Sequence, residues 1–218
     1  HKVLKKYWGF KSFRKKQEAI INDVLIQKDT LALLPTGGGK SICYQIPALV
    51  KEGICIVISP LVALMKDQTI KLQKRNIKAI AITGGLNQHE LDIALDNCIY
   101  GNIKLLYVSP ERLESDLVRE RIKKMNVNLI AVDEAHCISQ WGYDFRPSYL
   151  KIAEIRALKP ESPILALTAT ATKKVVKDIQ DKLLFKKQNV IQNSFRRANL
   201  AYMALEESHK STRVHKIL

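Results

Sequence analysis

Short apolar runs alternate with longer amphipathic stretches along nearly the whole chain, and this alternation limits the possible folds more than any other feature. Most of the runs are continuously apolar, as strands buried on both faces of a parallel sheet are. The predicted strands are Thr30–Leu34, Ile54–Ile58, Ala79–Ile82, Lys104–Val108, Leu129–Val132, Ile164–Leu167 and Asn189–Ile191. The predicted helices are Lys15–Gln27, Lys40–Val50, Leu61–Arg75, His89–Tyr100, Glu114–Met125, Tyr149–Leu158 and Lys173–Leu183.

Repeated strand–helix–strand units with short connections predict a doubly wound α/β fold. We expect a mostly parallel sheet of six or seven strands with helices on both faces. In such sheets, ligands bind beyond the carboxyl ends of the strands. The residues that follow each predicted strand are therefore the candidates for a functional site.

The chain has 36 lysine and arginine residues against 21 aspartate and glutamate residues, a formal net charge of +15. This surplus favours a polyanionic partner, and nucleic acid is the first candidate, although a lysine-rich surface without any partner has the same composition. The longest apolar runs reach about six residues, whereas a membrane-spanning helix needs roughly 20, so no membrane association is expected. The first residues also lack the apolar stretch of a secretory signal. We expect a cytoplasmic protein, associated with the nucleoid in a bacterium, or a nuclear one in a eukaryote.

The four cysteines, Cys43, Cys55, Cys98 and Cys137, are widely separated. No two of them form a CxxC pair, and His136 beside Cys137 has no second pair that would complete a zinc site. We expect buried, reduced thiols.

Residues 34–41 read LPTGGGKS and lie between a predicted strand and a predicted helix. Glycine-rich turns at such a junction direct backbone N–H groups at phosphate oxygens. We expect Lys40 to reach the β- and γ-phosphates and the hydroxyl of Ser41 to bind Mg²⁺. The usual pattern begins with glycine, where this chain has Leu34. The expected phosphate contacts are Thr36, Gly37, Gly38, Gly39, Lys40 and Ser41.

Residues 129–136 read LIAVDEAH, a buried strand that ends in two carboxylates. Asp133 is expected to hold Mg²⁺, and Glu134 to polarise the water that attacks the γ-phosphate. Alone, such an acidic pair is also compatible with favourable charge at a helix start. Together with the phosphate loop upstream, it indicates an NTPase.

Phe10, Arg14 and Gln17 precede the phosphate loop. A glutamine carboxamide offers the donor and the acceptor that reading an adenine edge requires, and an aromatic ring can stack on the base. Ordinary packing at a helix start would use the same residues, and the sequence leaves both interpretations open.

Seven segments occur in a fixed order: GFKSFRKKQ, LLPTGGGKS, SPLVALMKDQ, LLYVSPERL, VDEAHCISQWGYDFRPSY, ALTATAT and SFRRANL. Together they resemble the first motor domain of RecQ-type DNA helicases of superfamily two, over about Leu4 to Leu200. The most specific part is the aromatic-rich loop Ser139–Pro147, which other helicases of the superfamily lack.

The resemblance implies a RecA-like P-loop NTPase fold and 3′-to-5′ unwinding of DNA, driven by ATP with Mg²⁺, in recombination and repair. By position it implies adenine contacts at Phe10, Arg14 and Gln17, and phosphate and metal contacts at Lys40, Ser41 and Asp133. Glu134 would activate the water, and His136 would link the acidic pair to Thr168–Thr170. The implied DNA contacts are Trp141, Phe145 and Arg146. Lys40, Glu134 and His136 would be the catalytic residues. The family commonly has histidine where this chain has Tyr143.

Exposed aromatic rings beside basic residues suit single-stranded nucleic acid, since each stacked base contributes about 1–3 kcal/mol. Trp141 and Phe145 lie in a loop, although anchoring of Trp141 in the core is an alternative. Lys66, Gln68 and Arg112 follow predicted strand ends and are candidates for sugar–phosphate contacts, with plain solvated surface as the other interpretation.

We expect three regions: residues 1–28, a helical segment with the adenine motif; residues 29–192, the ATP-binding domain; and residues 193–218, a linker and the start of a second RecA-like domain. The partners would be single-stranded and duplex DNA and that second domain. The chain alone is expected to bind nucleotide but to be nearly inactive and to separate no duplex. An RNA-remodelling DEAH-type ATPase is the main alternative, because phosphate contacts do not distinguish DNA from RNA. A non-catalytic nucleic-acid-binding module and a small-molecule kinase are weaker ones.

Overall fold

The computed structural model describes residues 1–193, which form a single seven-stranded sheet with helices on both faces. The strands are β1 (Thr30–Leu33), β2 (Ile54–Ile58), β3 (Ala79–Ile82), β4 (Leu105–Val108), β5 (Val127–Val132), β6 (Ile164–Thr168) and β7 (Val190–Gln192). Their order is β3-β4-β2-β5-β6-β1-β7, and every neighbouring pair is parallel. The predicted α/β class and all seven predicted strands are confirmed.

The helices are α1 (Lys2–Trp8), α2 (Gln17–Leu25), α3 (Lys40–Val50), α4 (Val62–Gln73), α5 (Gln88–Tyr100), α6 (Asp116–Lys124), α7 (Ile152–Leu158) and α8 (Lys173–Lys182). Helix α2 begins two residues later than predicted, because Lys16 has a left-handed backbone with φ of 71°. Two helices begin later than predicted, each after a 3-10 turn. The turn Pro110–Glu114 precedes α6, which was predicted to begin at Glu114, and the turn Pro147–Lys151 precedes α7, which was predicted to begin at Tyr149. A proline at the first position of each turn favours this local start.

Alternate residues of β2 enter two different hydrophobic clusters, which shows that both faces of the sheet are covered. Ile54, Ile56 and Ile58 pack with apolar residues of α5, α6, α7 and α8. Cys55 and Val57 pack with apolar residues of α2, α3 and α4. All four cysteines are buried and unpaired, in agreement with the predicted burial.

The amino-terminal segment packs on α2 and α3, which cover the second of these faces, through a small cluster of its own. Leu4 of α1, Ile21 of α2 and Ile46 of α3 are buried together. No helix among residues 1–193 combines the length and the apolar content that crossing a bilayer requires. Of the predicted linker segment, everything from residue 194 onward, including the SFRRANL segment, lies outside the described residues.

A buried ion pair holds the amino ends of the central strands together. Both carboxylate oxygens of Asp29 accept hydrogen bonds from Arg156, at 2.9 and 2.8 Å. The backbone N–H groups of Ile164 and Lys186 donate to the same carboxylate, each at 2.8 Å. Burial acts to raise the pKa of Asp29, but these hydrogen bonds outweigh it, so that the pKa lies below the ordinary 3.8.

Substituting Asp29→Ala should therefore lower the free energy of unfolding by about 3–5 kcal/mol, because it leaves the Arg156 guanidinium buried without an opposite charge. Urea denaturation followed by circular dichroism measures this loss. The matched control is Asp67→Ala, which removes the exposed pair between Asp67 and Lys71 and should cost less than about 1 kcal/mol.

The stabilisation by Asp29 depends on pH in a defined direction. Because folding lowers the pKa of Asp29, its stabilisation is present above the ordinary value of 3.8 and is lost as the pH falls through the folded-state value. The difference in stability between wild type and Asp29→Ala should shrink in that acidic range. A difference that stays constant down to pH 2 would contradict an ionic role for Asp29.

Candidate nucleotide site and aromatic loop

Three neighbouring strands bring the predicted nucleotide-binding segments to one edge of the sheet. Strand β6 lies between β1, which leads into the phosphate loop (residues 34–41), and β5, which leads into the acidic pair. The N–H of Leu34 donates to the carbonyl of Thr168 at 3.1 Å, and the N–H of Asp133 donates to the carbonyl of Ile58 at 2.8 Å. The sheet hydrogen bonding thus continues beyond the strands and positions both segments.

The phosphate loop turns through left-handed backbone conformations. Gly37 and Gly39 have φ of 75° and 78°, a region that L side chains rarely adopt. A Cβ at Gly39 would also lie only 2.3 Å from the side-chain nitrogen of Gln17. Helix α3 begins immediately afterwards at Lys40, so its first N–H groups are available for an anion.

Arg14 and Gln17 contact the backbone of this loop. The Gln17 side-chain amide donates to the carbonyl of Gly39 at 3.0 Å, and its oxygen accepts from the N–H of Arg14 at 2.8 Å. The Arg14 guanidinium donates to the carbonyl of Gly37. Gln17 is only 3% exposed. Adenine contacts at Gln17 would therefore form alongside, or in exchange for, these bonds to the loop.

A cavity of about 710 Å³ lies between the phosphate loop, the acidic pair and the amino-terminal segment. Phe10, whose ring is 56% exposed, lines it together with Arg14 and Gln17. Lys40, Ser41, Asp133 and Glu134 line it as well. The structure thus brings the predicted adenine, phosphate and metal residues, with the exception of Gly38, to one concave surface.

Asp133 and Glu134 place two carboxylates side by side at the end of β5. Burial, and then the negative charge of Glu134, raises the pKa of Asp133 to about 6, whereas Lys40 acts in the opposite direction. Glu134 has φ of 48°, an uncommon conformation for a residue other than glycine, which sends the chain directly into a 3-10 turn, Ala135–Ile138. A divalent cation between Ser41 and Asp133 would relieve the repulsion of the two carboxylates, so these oxygen ligands fit Mg²⁺.

His136 connects the acidic pair to β6. Its Nδ1 lies 2.9 Å from the Thr168 hydroxyl and 3.3 Å from a Glu134 carboxylate oxygen. The Thr168 hydroxyl donates to the carbonyl of Thr170, so it accepts from His136 and the Nδ1 carries the proton. Burial lowers the pKa of His136, while the charge of Glu134 acts to raise it. The link from His136 to the 168–170 segment is thus present in the geometry.

The aromatic loop, Ser139–Pro147, follows the 3-10 turn. Trp141 is 62% exposed and Tyr143 is 77% exposed, so the alternative of a core position for Trp141 is wrong. Gly142 is required here, since a Cβ would lie 2.8 Å from the carbonyl of His136. Arg146 closes the loop through its N–H, which donates to the carbonyl of Cys137 at 2.9 Å, and forms an ion pair with Asp144.

Tyr143 joins this loop to the nucleotide site, because its ring stacks on His136 with centroids 4.5 Å apart. On the other side, Lys174 of α8 lies over the Trp141 ring, and Lys182 lies near the face of Phe145. The exposed Trp141 ring and the half-buried Phe145 ring thus each lie close to one lysine of α8.

The other three predicted nucleic-acid residues occupy different settings. Lys66 is exposed on α4. Gln68 accepts a hydrogen bond from Gln45 at 3.2 Å and lines the nucleotide cavity. Arg112 donates to the carbonyl of Thr83 at 2.9 Å, at the carboxyl end of β3. Arg112 therefore lies at the same edge of the sheet as the aromatic loop, while Gln68 faces the cavity beside the phosphate loop.

Sequence reasoning missed several tyrosines near the site. The hydroxyl of Tyr149 donates to the carbonyl of Asp133 at 2.9 Å, and Tyr44 and Tyr107 are buried behind the phosphate loop. These residues lie in predicted helices or strands, where an aromatic residue indicates only core packing. No local signal distinguishes a tyrosine whose hydroxyl has a partner in the site.

The fold and this arrangement define a RecA-like P-loop nucleotide-binding domain. A sequence profile described as "DEAD/DEAH box helicase" matches residues 14–179, and the chain belongs to that family. Within it, the chain is similar to RecQ-type proteins, in agreement with the resemblance seen in the motifs.

Three relatives illustrate this similarity. The chain is 41% identical to the "Probable ATP-dependent DNA helicase RecS" of Bacillus subtilis, over 99% of this chain and 43% of the relative. It is 45% identical to the "ATP-dependent DNA helicase RecQ" of Haemophilus influenzae, over 95% of this chain and 33% of the relative. It is 40% identical to the "RecQ-like DNA helicase blm-1" of Caenorhabditis elegans, over 96% of this chain and 22% of the relative. The chain thus spans less than half the length of these relatives.

Solved structures support the fold. The helicase domain of Pyrococcus furiosus Hef matches with a TM-score of 0.63 at 23% identity, over 82% of this chain and 38% of that one. A hypothetical ATP-dependent RNA helicase from Sulfolobus tokodaii matches with a TM-score of 0.64 at 21% identity, over 88% of this chain and 56% of that one.

The geometry of the acidic pair predicts an unusual titration. In the metal-free protein, the carboxyl carbon resonance of Asp133 should titrate with a midpoint near pH 6. Glu134→Gln should move that midpoint downward, since it removes a negative charge that disfavours ionisation of Asp133. The control Glu161→Gln, an exposed position, should leave it unchanged. A midpoint near the ordinary 3.8 in all three proteins would contradict the described burial.

Proposed function

We propose that this chain is the first motor domain of a RecQ-type ATP-dependent DNA helicase, which unwinds DNA in the 3′-to-5′ direction in recombination and repair. One observation carries the proposal. The Nδ1 of His136 contacts Glu134 of the acidic pair and Thr168 of β6, and the face of the same ring stacks on Tyr143 of the aromatic loop. An ATPase site is therefore in direct contact with a surface suited to single-stranded nucleic acid. The family membership and the RecQ-type relatives support the same assignment.

ATP would bind in the cavity with its adenine near Phe10, Arg14 and Gln17. Its phosphates would lie on the N–H groups of Gly37, Gly38 and Gly39 and on the first turn of α3, because a helix start attracts anions. Thr36 would border this site, and Lys40 would neutralise the β- and γ-phosphates. All these residues line the cavity or the loop beside it.

Ser41 and Asp133 would hold Mg²⁺, which when bound neutralises charge on the phosphate oxygens. Glu134 would orient the attacking water and accept its proton. The Nδ1–H of His136 donates to Thr168, and the same nitrogen lies 3.3 Å from the Glu134 carboxylate, a contact that would help to hold this carboxylate in place. His136 would thus couple structural changes at the hydrolysis site to structural changes in the aromatic loop.

DNA would contact Trp141 and Phe145 through base stacking and Arg146 through a phosphate. Arg112 and Lys66 would extend this surface along the carboxyl edge of the sheet. Gln68 would lie between the two sites, since it lines the nucleotide cavity while Lys66 on the same helix is exposed.

Complete activity would require a second RecA-like domain, because unwinding needs two bodies that open and close around the nucleotide. An arginine finger commonly accelerates phosphoryl transfer by about 10³–10⁵-fold, and the resemblance places such arginines on that second domain. We expect this chain alone to bind nucleotide, to hydrolyse it near background and to separate no duplex.

The nucleotide assignment is tested by calorimetry with a non-hydrolysable ATP analogue and Mg²⁺. Lys40→Ala should weaken binding at least about tenfold, since a hydrogen-bonded charge contributes about 1.5–3 kcal/mol. Gln17→Ala should reduce the preference for adenine over guanine nucleotides. The control Lys187→Ala removes an exposed lysine next to the amino end of β7 and should bind as wild type does. Equal affinities for wild type and Lys40→Ala would exclude the phosphate-loop assignment.

The nucleic-acid assignment is tested by fluorescence anisotropy with labelled single-stranded DNA and RNA of equal length. Trp141→Ala should weaken DNA binding by about 1–3 kcal/mol, and affinity should fall steeply with salt. Tyr100→Ala, which removes a ring that is 81% exposed on α5, is the matched control. Tighter binding of RNA than of DNA would favour the RNA-remodelling alternative, and an unaffected Trp141→Ala would remove the aromatic loop from the interface.

A further inference from the structure

Two groups beside the nucleotide site have no part in the proposed function: the Nε2 nitrogen of His136 and the thiol of Cys137. The contacts of His136 with Thr168 and Glu134 use its Nδ1. Cys137 follows it in the 3-10 turn Ala135–Ile138. Both residues are buried, and they lie next to Asp144 of the aromatic loop, whose side chain is 45% exposed.

These three side chains bring their metal-ligating atoms together. The Sγ of Cys137 lies 3.7 Å from the Nε2 of His136 and 3.6 Å from a carboxylate oxygen of Asp144. One such atom from each residue lies within 4.8 Å of the other two. Within residues 1–193, no other set of three or more His, Cys, Asp or Glu side chains converges in this way. We refer to His136, Cys137 and Asp144 as the thiol cluster.

The thiol cluster has more hydrogen-bond acceptors than donors. Because the Nδ1 of His136 carries the proton that Thr168 accepts, the Nε2 of the neutral ring presents a lone pair. The ionised carboxylate of Asp144 also only accepts. The one proton of the Cys137 thiol faces both acceptors and can serve one of them at a time. A cation at the centre of the cluster would contact all three atoms favourably.

The separations in the thiol cluster match those around a tetrahedral zinc ion. Zinc lies about 2.3 Å from a sulfur ligand and about 2.0–2.2 Å from nitrogen or oxygen, so tetrahedral geometry places sulfur about 3.5–3.7 Å from its neighbouring ligands. The two distances from the Cys137 Sγ, 3.7 and 3.6 Å, fall in this range. Thiolate and imidazole ligands favour Zn²⁺ over Mg²⁺, and three protein ligands leave a fourth position for water.

The surroundings of the thiol cluster also suit a metal ion. A metal-binding histidine usually donates its other ring N–H to an oxygen, and the Nδ1 of His136 lies 2.9 Å from the Thr168 hydroxyl. The half-exposed Asp144 gives the ion a path from solvent. Arg146 competes with the ion, since its guanidinium donates to Asp144 at 3.2 and 3.3 Å. That ion pair is partly exposed and therefore weak, so a coordinated divalent ion can replace it.

The third ligand depends on the closure of the aromatic loop. In the sequence, His136 and Cys137 lack the second pair of cysteine or histidine residues by which zinc sites are recognised. The structure supplies a carboxylate instead. The backbone N–H of Arg146 donates to the carbonyl of Cys137 at 2.9 Å, which returns the chain to the 3-10 turn and brings Asp144 beside the thiol.

We propose that the Nε2 of His136, the Sγ of Cys137 and a carboxylate oxygen of Asp144 form a Zn²⁺ site that, when occupied, fixes the aromatic loop to the 3-10 turn Ala135–Ile138. Binding breaks the S–H bond of Cys137, forms a zinc–thiolate bond and releases the proton to solvent, with no change of oxidation state. Asp144 exchanges its ion pair with Arg146 for the metal. The loop thereby gains a link to the turn that carries His136.

Metal binding is measured on the whole chain by absorption spectroscopy during a Co²⁺ titration, with Mg²⁺ in excess to occupy sites made of oxygen ligands. Co²⁺ takes the same tetrahedral geometry as Zn²⁺, and it should give intense visible bands together with a thiolate charge-transfer band in the near ultraviolet. Added Zn²⁺ should remove these bands, and the amount required yields the affinity for Zn²⁺.

Two variants with matched controls test the ligands. Cys137→Ala should abolish the charge-transfer band and weaken Zn²⁺ binding at least about 100-fold, since loss of an outer partner alone costs about 10–100-fold. Cys98→Ala removes another buried thiol and should change neither. Asp144→Ala should weaken Zn²⁺ binding at least about tenfold and keep the charge-transfer band, whereas Asp67→Ala, at a similarly exposed carboxylate, should bind as wild type does. Because Asp144 is half-exposed, its variant tests the site even if Cys137→Ala does not fold.

Amide hydrogen exchange tests the fixing of the aromatic loop. Saturating Zn²⁺ should slow exchange over residues 139–147 in the wild-type chain and leave it unchanged in Cys137→Ala. The amides of α5, which contributes no residue to the thiol cluster, are the internal control.

Three results would overturn the inference: no tetrahedral Co²⁺ spectrum in the wild-type chain, equal Zn²⁺ affinities in wild type and both ligand variants, or unchanged loop exchange with Zn²⁺ bound. None of these measurements uses nucleotide or DNA. Failure of the inference would therefore leave the proposed function intact, and failure of nucleotide or DNA binding would leave the inference intact.

Discussion

The parallel alignment of the strands is the constraint on which the rest of the structure depends. Leu33 pairs with Thr168, Val132 with Ala166, and Ile58 with Val132, so β1, β2, β5 and β6 all end at nearly the same level. Segments that are distant in sequence therefore meet at one edge of the sheet. The opposite edge is held by the buried pair of Asp29 and Arg156, so that a stabilising ion pair and the polar groups of the site occupy different ends of the strands.

Within that edge, a single buried imidazole connects two surfaces. His136 contacts a carboxylate of the acidic pair, the hydroxyl at the end of β6 and the ring of Tyr143. A change in the position of any one of these groups changes the environment of the others, because all three contact the same ring. Tyr143 makes its contact by stacking, with ring centroids 4.5 Å apart.

The strand pattern, the phosphate loop and the acidic pair could be predicted from the sequence, because each depends on local composition at a strand end. The 3-10 turns before α6 and α7, and the late start of α2 at Gln17, could not, since they depend on the backbone angles of single residues such as Lys16. Contacts between distant side chains were also beyond reach. The Tyr44 and Tyr107 hydroxyls, 63 residues apart, meet only because α3 packs on the face of the sheet toward which Tyr107 of β4 points.

Gln17 and Gln68 show the same limit of prediction from sequence. Gln17 was predicted to face adenine, and the structure adds that its amide holds the phosphate-loop backbone. Gln68 was predicted to contact nucleic acid, and the structure adds that it lines the nucleotide cavity and accepts a hydrogen bond from Gln45. Residue type and position relative to a strand end identify the edge of the sheet, but the direction of a long side chain depends on its tertiary neighbours.

Amide chemical-shift mapping with two ligands tests most directly whether both functions share the carboxyl edge of the sheet. With a non-hydrolysable ATP analogue and Mg²⁺, the largest shifts should fall on residues 36–41 and 133–136. With a single-stranded DNA oligonucleotide, they should fall on residues 139–147, and residues at the amino edge, such as Asp29, Gly53 and Lys104, should change little with either ligand. Largest shifts at that amino edge would contradict the account.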